Sequence, residues 1–277
     1  MGVILGVDIG GSTTKIVGFT AGGVLIGEQQ VKATDQVTSM YGAVGHFLRK
    51  YRLTLPDIEK IVLTGVGASF FEDDIYGIST AKVDEFIAIG SGGLYLARAD
   101  EAFIVSMGTG TAFVKATKDG ITHLGGSGVG GGTLLGLSTL MLNKGDIDAI
   151  LNLAEDGFAE RVDLLVKDII NYEIPSLPPN LTAANFGNVR GAATEADIAL
   201  GIINMILQTI GVLAAFVAKN DTINNIIMTG TLATLPQAHD IFKAIGQMHS
   251  LLFIIPYNAV FATAIGAAVS YMKDAAI

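Results

Sequence analysis

The 277-residue chain carries a net charge of −9 and no cluster of Lys or Arg, which argues against a nucleic-acid-binding surface. It has no cysteine; this excludes disulfides, cysteine-ligated zinc, iron–sulfur clusters and thiol catalysis, and fits a reducing, cytoplasmic setting. Half of the residues are hydrophobic and 35 are Gly against 6 Pro, so the length suits one large domain or two lobes with many tight strand–turn–helix junctions.

The first element is an apolar run, Val3, Ile4, Leu5 and Val7, which predicts a strand carrying Asp8 to a turn. There Gly10 and Gly11 leave the backbone bare, and Ser12, Thr13, Thr14 and Lys15 follow. Bare N–H groups, hydroxyls and an ammonium make a phosphate cradle, and an acid just before it can hold Mg²⁺ through water. A plain glycine-turned hairpin needs neither Asp8 nor Lys15. Asp8 also interrupts the apolar run, with no basic stretch before it, so no leader is expected.

Residues 16–19 and 24–28 flank Thr20-Ala21-Gly22-Gly23, a hairpin signal. Helical spacing runs over 36–52, a buried strand over 60–64 is stopped by Gly65 and Gly67, and a second helix is expected over 84–98. The opening then recurs. Phe103 to Met107 is an apolar strand ending in Gly108-Thr109-Gly110-Thr111, with a second strand at 112–117 and a turn at Asp119-Gly120. Two lobes on one plan, 1–99 and 100–277, facing a single cleft are the natural expectation.

The glycine-richest segment, 125–132, opens an expected helix at 133–142. It contains G-x-G-x-x-G at 126–131, but helices follow it where a dinucleotide fold needs a second parallel strand with an acid at its tip. What remains is a helix N-terminus with bare N–H groups for an anion. Residues 145–172 read as amphipathic surface helices, and Pro175, Pro178 and Pro179 mark a loop at 174–181. The 21 residues 198–218 hold no charge, long enough to cross a membrane. Asn204, Gln208 and Thr209 in mid-segment, and the cap-like Thr194-Glu195-Ala196-Asp197, point instead to a helix buried between lobes or subunits. A strand at 226–229 ending in Gly230-Thr231, a helix at 236–248, a strand at 251–255 and a small-residue helix at 259–272 complete the chain.

Three Gly/Thr turns at strand ends and a glycine-rich helix start suggest a nucleoside triphosphate held between two lobes. The layout resembles the actin/Hsp70/sugar-kinase superfamily, and more closely the type II pantothenate kinases of coenzyme A synthesis. The residues that carry the resemblance are GVDIGGSTTK (6–15), VDEF (83–86), MGTGT (107–111), GVGGGTLLGL (128–137) and LTAANFGNV (181–189). It implies an α/β fold of duplicated ribonuclease-H-like sheets with helices and a nucleotide cleft between the lobes. The implied reaction is ATP-dependent phosphorylation of the terminal hydroxyl of pantothenate, in a homodimer joined through a helix over 195–219.

By the same resemblance, Asp8 would organise Mg²⁺ and the attacked phosphate, while Gly10, Gly11, Ser12, Thr13 and Lys15 hold the phosphates. Glu85 would be the general base for a primary hydroxyl that loses its proton as it attacks. On a helix its neighbour Asp84 points about 100° away. Thr109 would bond the acceptor, with Gly108 and Gly110 admitting it. Gly130, Gly131 and Gly132 would approach the nucleotide and Gly230 its adenosine side. Tight packing is the alternative for any of these glycines. Ala183 and Ala184 would reach the acceptor pocket.

One position departs from the pattern. Where the resemblance implies an Arg to grip the pantothenate carboxylate, this chain has His123, and a Ser often found at position 112 is Ala112. A neutral imidazole lacks the permanent charge and forked donors that suit a carboxylate. Either His123 donates a single bond or is protonated beside an anion, or the acceptor is a pantetheine-like compound with no carboxylate. The opening also resembles the activating ATPases of 2-hydroxyacyl-CoA dehydratases, whose cluster cysteines are missing here. An N-acetylhexosamine kinase and a catalytically silent nucleotide-binding protein remain as other readings.

Overall fold

The computed structural model describes residues 2–32, 35–172, 178–189, 191 and 193–274, so that Pro175 and much of the expected 174–181 loop lie outside the described residues. Buried, mostly apolar runs fold the first part into β1 (Val3–Ile9) and β2 (Thr13–Thr20), which with β3 (Leu25–Lys32) form an antiparallel meander. Helix α1 (Gln36–Tyr51) follows, capped by the Asp35 carboxylate, which accepts from Thr38 N at 2.7 Å. Strands β4 (Ile58–Thr64) and β5 (Thr80–Lys82) then add parallel to β1, in the order β3-β2-β1-β4-β5.

Helix α2 (Glu85–Ala97) leads to a second sheet on the same plan. It holds β6 (Ala102–Met107), β7 (Thr111–Thr117) and β8 (Gly120–Ser127) as an antiparallel meander. The next elements are α3 (Gly131–Leu142), α4 (Ile147–Ala154), a two-stranded pair of β9 (Leu164–Leu165) and β10 (Thr182–Ala184) around the short α5 (Val166–Ile169), and α6 (Glu195–Ala218). Strand β11 (Asn225–Thr229) then joins parallel to β6, helix α7 (Ala238–His249) follows, β12 (Leu252–Ile254) joins parallel to β11, and α8 (Ala262–Asp274) ends the described chain. Three antiparallel strands and two parallel ones thus recur, which bears out the two-sheet α/β architecture expected from the repeat.

The cores are layered. Side chains of β1 that alternate with Asp8 (Val3, Leu5, Val7, Ile9) pack against α1, while Ile4 and its neighbours Val17 and Val62 pack against α8 and Ala88 of α2. The other side of α2 lies on the second sheet through Ile89, Ile104 and Ile227. The small residues expected to permit a close helix approach do so: Gly92 lies against Ala262 O and Gly266 against Ala88 O, where any side chain would collide.

One expectation changes. Residues 145–172 do not form a set of surface helices; the only one longer than a turn is the eight-residue α4, because the segment from 162 onward folds against the α6 side chains. The fully buried Asp163 is the anchor: it accepts from Phe186 N at 2.8 Å and Asn204 Nδ2 at 2.6 Å, and Gln208 Nε2 donates to Thr182 Oγ1 at 3.0 Å. The same bonds account for the polar residues inside α6. By length and composition that helix could cross a membrane, yet half of its most apolar stretch is buried in the fold and Asn204 and Gln208 bond within it. Its start is the capping box expected from the sequence, with Thr194 and Asp197 bonding each other's backbone N–H.

Candidate active site

The parallel strands of each sheet end on the same side, and there the expected residues gather. Asp8 and Lys15 are directly opposed on β1 and β2, both about nine-tenths buried, with Lys15 Nζ 3.5 Å from Asp8 Oδ2. Burial pushes the Asp8 carboxyl above its ordinary value, against the pull of the Lys15 charge. The turn between them is shorter than the sequence suggested. Thr13, Thr14 and Lys15 already belong to β2, Gly10 N donates to Thr13 O at 3.0 Å, and Gly11 and Ser12 form the exposed tip.

Glu85 is the first residue of α2. Its neighbour Asp84 is occupied as the cap, accepting from Phe86 N at 2.9 Å and Ile87 N at 3.1 Å, so the two acids have separate work. Glu85 is half-buried, and its carboxyl is held above its ordinary value by burial first, then by the charges of Asp8 and Asp84. The Lys15 charge acts on the same carboxyl in the opposite sense, lowering it. Phe86 stacks face to face on His123 of β8, ring centroids 3.7 Å apart and planes 12° from parallel. His123 is thus joined to α2 through Phe86, the residue after Glu85.

The second turn faces the first: a Cβ on Gly11 would lie 3.7 Å from Thr109 Oγ1. Gly108 and Thr109 are exposed, but their carbonyls are occupied, because Gly131 N donates to Gly108 O at 2.8 Å and Gly132 N to Thr109 O at 2.9 Å. Gly130 N donates to Thr133 Oγ1 at 3.2 Å. This corrects the expectation of bare N–H groups at that helix start: all three are spent on internal bonds, and the Cβ-free surface is what a ligand would meet. The glycine run is divided as well, since Gly125 and Gly126 lie within β8. A Cβ on Gly130 would sit 2.6 Å from Thr109 O, so these glycines let the helix start close on the turn.

Gly230 follows β11 with φ +87° and packs on Met107, its N–H donating to Ala259 O at 2.9 Å. Ala183 and Ala184 are exposed on β10, in a segment anchored on α6 through Asp163; nothing joins them to the Asp8 cluster in the way that Phe86 joins His123. Sequence reasoning read Gly65 as the stop of the strand over 60–64 and assigned no role to Thr64-Gly65 at the site. Thr64 pairs with Asp8 across the parallel ladder, and Gly65, with φ +86°, has its bare Cα against the carboxylate, where a Cβ would lie 2.7 Å from Asp8 Oδ1. The available signal was the echo of Leu63-Thr64-Gly65 in Met228-Thr229-Gly230.

Comparison with known proteins fits this arrangement. The model of the Fumble family matches residues 25–245. The chain belongs to the Fumble family. This Fumble protein is 29% identical over 236 residues to a type II pantothenate kinase of Staphylococcus haemolyticus, covering 82% of this chain and 84% of that one. It is 27% identical over 243 residues to one of Bacillus cereus, covering 82% and 83%. The resemblance to type II pantothenate kinases, and with it a phosphotransferase of the kinase type, is borne out.

Among solved structures, the activator of the 2-hydroxyisocaproyl-CoA dehydratase from Clostridium difficile with bound ADPNP superposes with a TM-score of 0.70 at 16% identity, covering 99% of this chain and 96% of that one. A ROK family protein from Streptococcus pneumoniae gives 0.61 at 12%, covering 99% of both. The sugar-kinase-like fold is thereby established for the Fumble chain.

Proposed function

We propose that this protein transfers the terminal phosphoryl group of ATP to the terminal hydroxyl of pantothenate, with Glu85 as general base. The observation that carries the reading is the convergence at the strand ends. A carboxyl whose proton affinity is raised by burial begins a helix beside a second acid, Asp8, that lies next to an exposed glycine turn. In the reaction the acceptor oxygen bonds to phosphorus as its proton passes to Glu85 and the bond to the ADP oxygen breaks. Lys15, whose ammonium lies on the Asp8 side of the turn, offsets negative charge on the transferred group.

The residues suit Mg²⁺ as that ion is ordinarily held, by one or two carboxylates together with phosphate oxygens and water. Among the described residues no group of three or more His, Asp or Glu forms a closed metal cage, and the single acid Asp8 at the turn fits the open arrangement. Bound there, the ion would draw off phosphate charge.

Two features guide the remaining assignments. Met205, Thr209, Val212 and Phe216 recur at helical spacing along the less buried side of α6, with Phe216 exposed, which supports a homodimer through residues 195–219. His123 offers an imidazole stacked on Phe86 where a carboxylate would prefer a guanidinium, which favours as a second reading an acceptor lacking the carboxylate.

The deciding experiment is ATP turnover over a panel of pantothenate, an uncharged pantothenate amide and an N-acetylhexosamine. Phosphorylation of the hexosamine but not of pantothenate or its amide would refute the proposal. ATP binding without turnover on any acceptor would leave a silent nucleotide-binding protein.

A further inference from the structure

The two sheets repeat one another down to the end of their fourth elements. Strand β4 ends in Thr64-Gly65, Gly65 having φ +86°, and runs into a 3₁₀ turn, Val66–Phe70. Strand β11 ends in Thr229-Gly230, Gly230 having φ +87°, and runs into a 3₁₀ turn, Thr231–Thr234. Both threonines are buried, at 0% and 1% exposure, and both glycines press on the central strand of their sheet, Gly65 on Ile9 O and Gly230 on Met107 O.

The hydroxyls differ. Thr229 Oγ1 donates to Val105 O at 3.2 Å, which settles it within the sheet. Thr64 Oγ1 has no hydrogen-bond partner. A buried hydroxyl left so is costly unless something outside the chain satisfies it. Its surroundings say what that something is. Thr64 is directly opposite Asp8, and Asp8 is directly opposite Lys15, so the three side chains stand in one row on one face at the strand ends. Gly65 packs its bare Cα against the Asp8 carboxylate, where a Cβ would lie 2.7 Å from Oδ1, so the end of β4 is held close to that acid.

We propose that Thr64 is a ligand-binding residue of the phosphoryl-transfer site, its hydroxyl bonding an oxygen held between it and Asp8, either of a nucleotide phosphate or of a metal-bound water. This rests on the nucleotide half of the proposed function and is independent of which acceptor is used. Thr14 serves as the control: its hydroxyl was expected in the cradle, but the structure places it opposite Ile9, on the other face of the sheet and away from the row, equally buried and with no partner among the described residues.

The test is Thr64→Val, which keeps the side-chain volume and removes the hydroxyl, beside Thr64→Ser and Thr14→Val. ATP affinity is measured by calorimetry with Mg²⁺ and with chelator, and melting temperature by scanning. Thr64→Val is expected to keep or raise the melting temperature while ATP affinity falls about tenfold to a hundredfold. Thr64→Ser should retain most of the affinity and Thr14→Val all of it. A loss seen with and without Mg²⁺ assigns the bond to phosphate, and a loss only with Mg²⁺ assigns it to a metal-bound water. Unchanged affinity in Thr64→Val, an equal loss in Thr14→Val or in Thr64→Ser, or a melting temperature that falls together with affinity would overturn the proposal. So would a wild-type chain that binds no ATP. If ATP binds as expected and the acceptor panel is blank, the acceptor reading fails and this one stands.

Discussion

In the first sheet the hairpin runs from Asp8 through the exposed Gly11 and Ser12 to Lys15. In the second the equivalent places hold Ser106 and Ala112, and the turn between them is tied down by the start of α3. Both turns are bare of side chains at their glycines, but for different ends. The first leaves its tip to solvent with a charged pair behind it. The second uses glycine to let another segment of the chain approach, its carbonyls fixed by Gly131 and Gly132. The duplicated scaffold thus carries a charged pair behind one turn and a tied turn opposite it. Rigidity facing charge is what electrostatic catalysis of phosphoryl transfer requires, since donors and charges must already be in place when charge develops.

The largest test of that division is Glu85→Gln. If the charged side carries the chemistry, turnover falls by roughly two to four orders of magnitude while ATP affinity changes little. Undiminished turnover would move the base elsewhere. The pH profile supplies the sign. Glu85 acts as base only when deprotonated, so rate declines as pH falls through its pKa. Burial, then Asp8 and Asp84, hold that pKa above the ordinary Glu value of 4.5, so the acid limb of kcat/KM belongs above that pH and disappears in the Gln variant.

A pair of glycine substitutions compares the turns directly. Gly130→Ala drives a Cβ to 2.6 Å from Thr109 O and forces α3 off the second turn, at a cost of about 2 kcal/mol read as a lower melting temperature. Gly11→Ala meets nothing nearer than 3.7 Å, so stability should hold to within about 0.5 kcal/mol while ATP affinity falls as the methyl intrudes on the tip. Equal destabilisation by both would erase the distinction between an open turn and a tied one.

Much of this was legible in the sequence because it depends on local pattern. Short apolar runs bounded by glycine turns gave the strands. Asp84 and Thr194 were readable as helix starts, and the echo of 3–19 in 103–117 gave the second sheet. What stayed hidden depends on partners far apart in the chain. Nothing local distinguishes Gly130 as a packing glycine from Gly11 as an exposed one; that is decided by which carbonyl arrives from elsewhere. Likewise the expectation of amphipathic surface helices over 145–172 failed because Asp163 is claimed by Phe186 N and Asn204, residues 23 and 41 positions away. Thr64 was passed over because its echo in Thr229-Gly230 marks a repeated strand end but no chemistry until its ladder partner is known to be Asp8.

The smallest expected effect concerns the side of the site that holds no charged pair. On the second sheet His123 lies flat on Phe86, the residue after the proposed base. His123→Arg puts a permanent, forked cation there, and a guanidinium can stack on the same ring. For a carboxylate-bearing acceptor the Michaelis constant should fall by about tenfold, the worth of one charge-assisted bond at a partly exposed position. For the uncharged amide of the same acceptor it should not fall, because the added cation meets no anion. A fall for both acceptors would mean that Arg improves packing rather than charge recognition. A fall for neither would mean that the acceptor's far end lies away from β8, leaving the Phe86–His123 stack as a structural bridge between the two sheets.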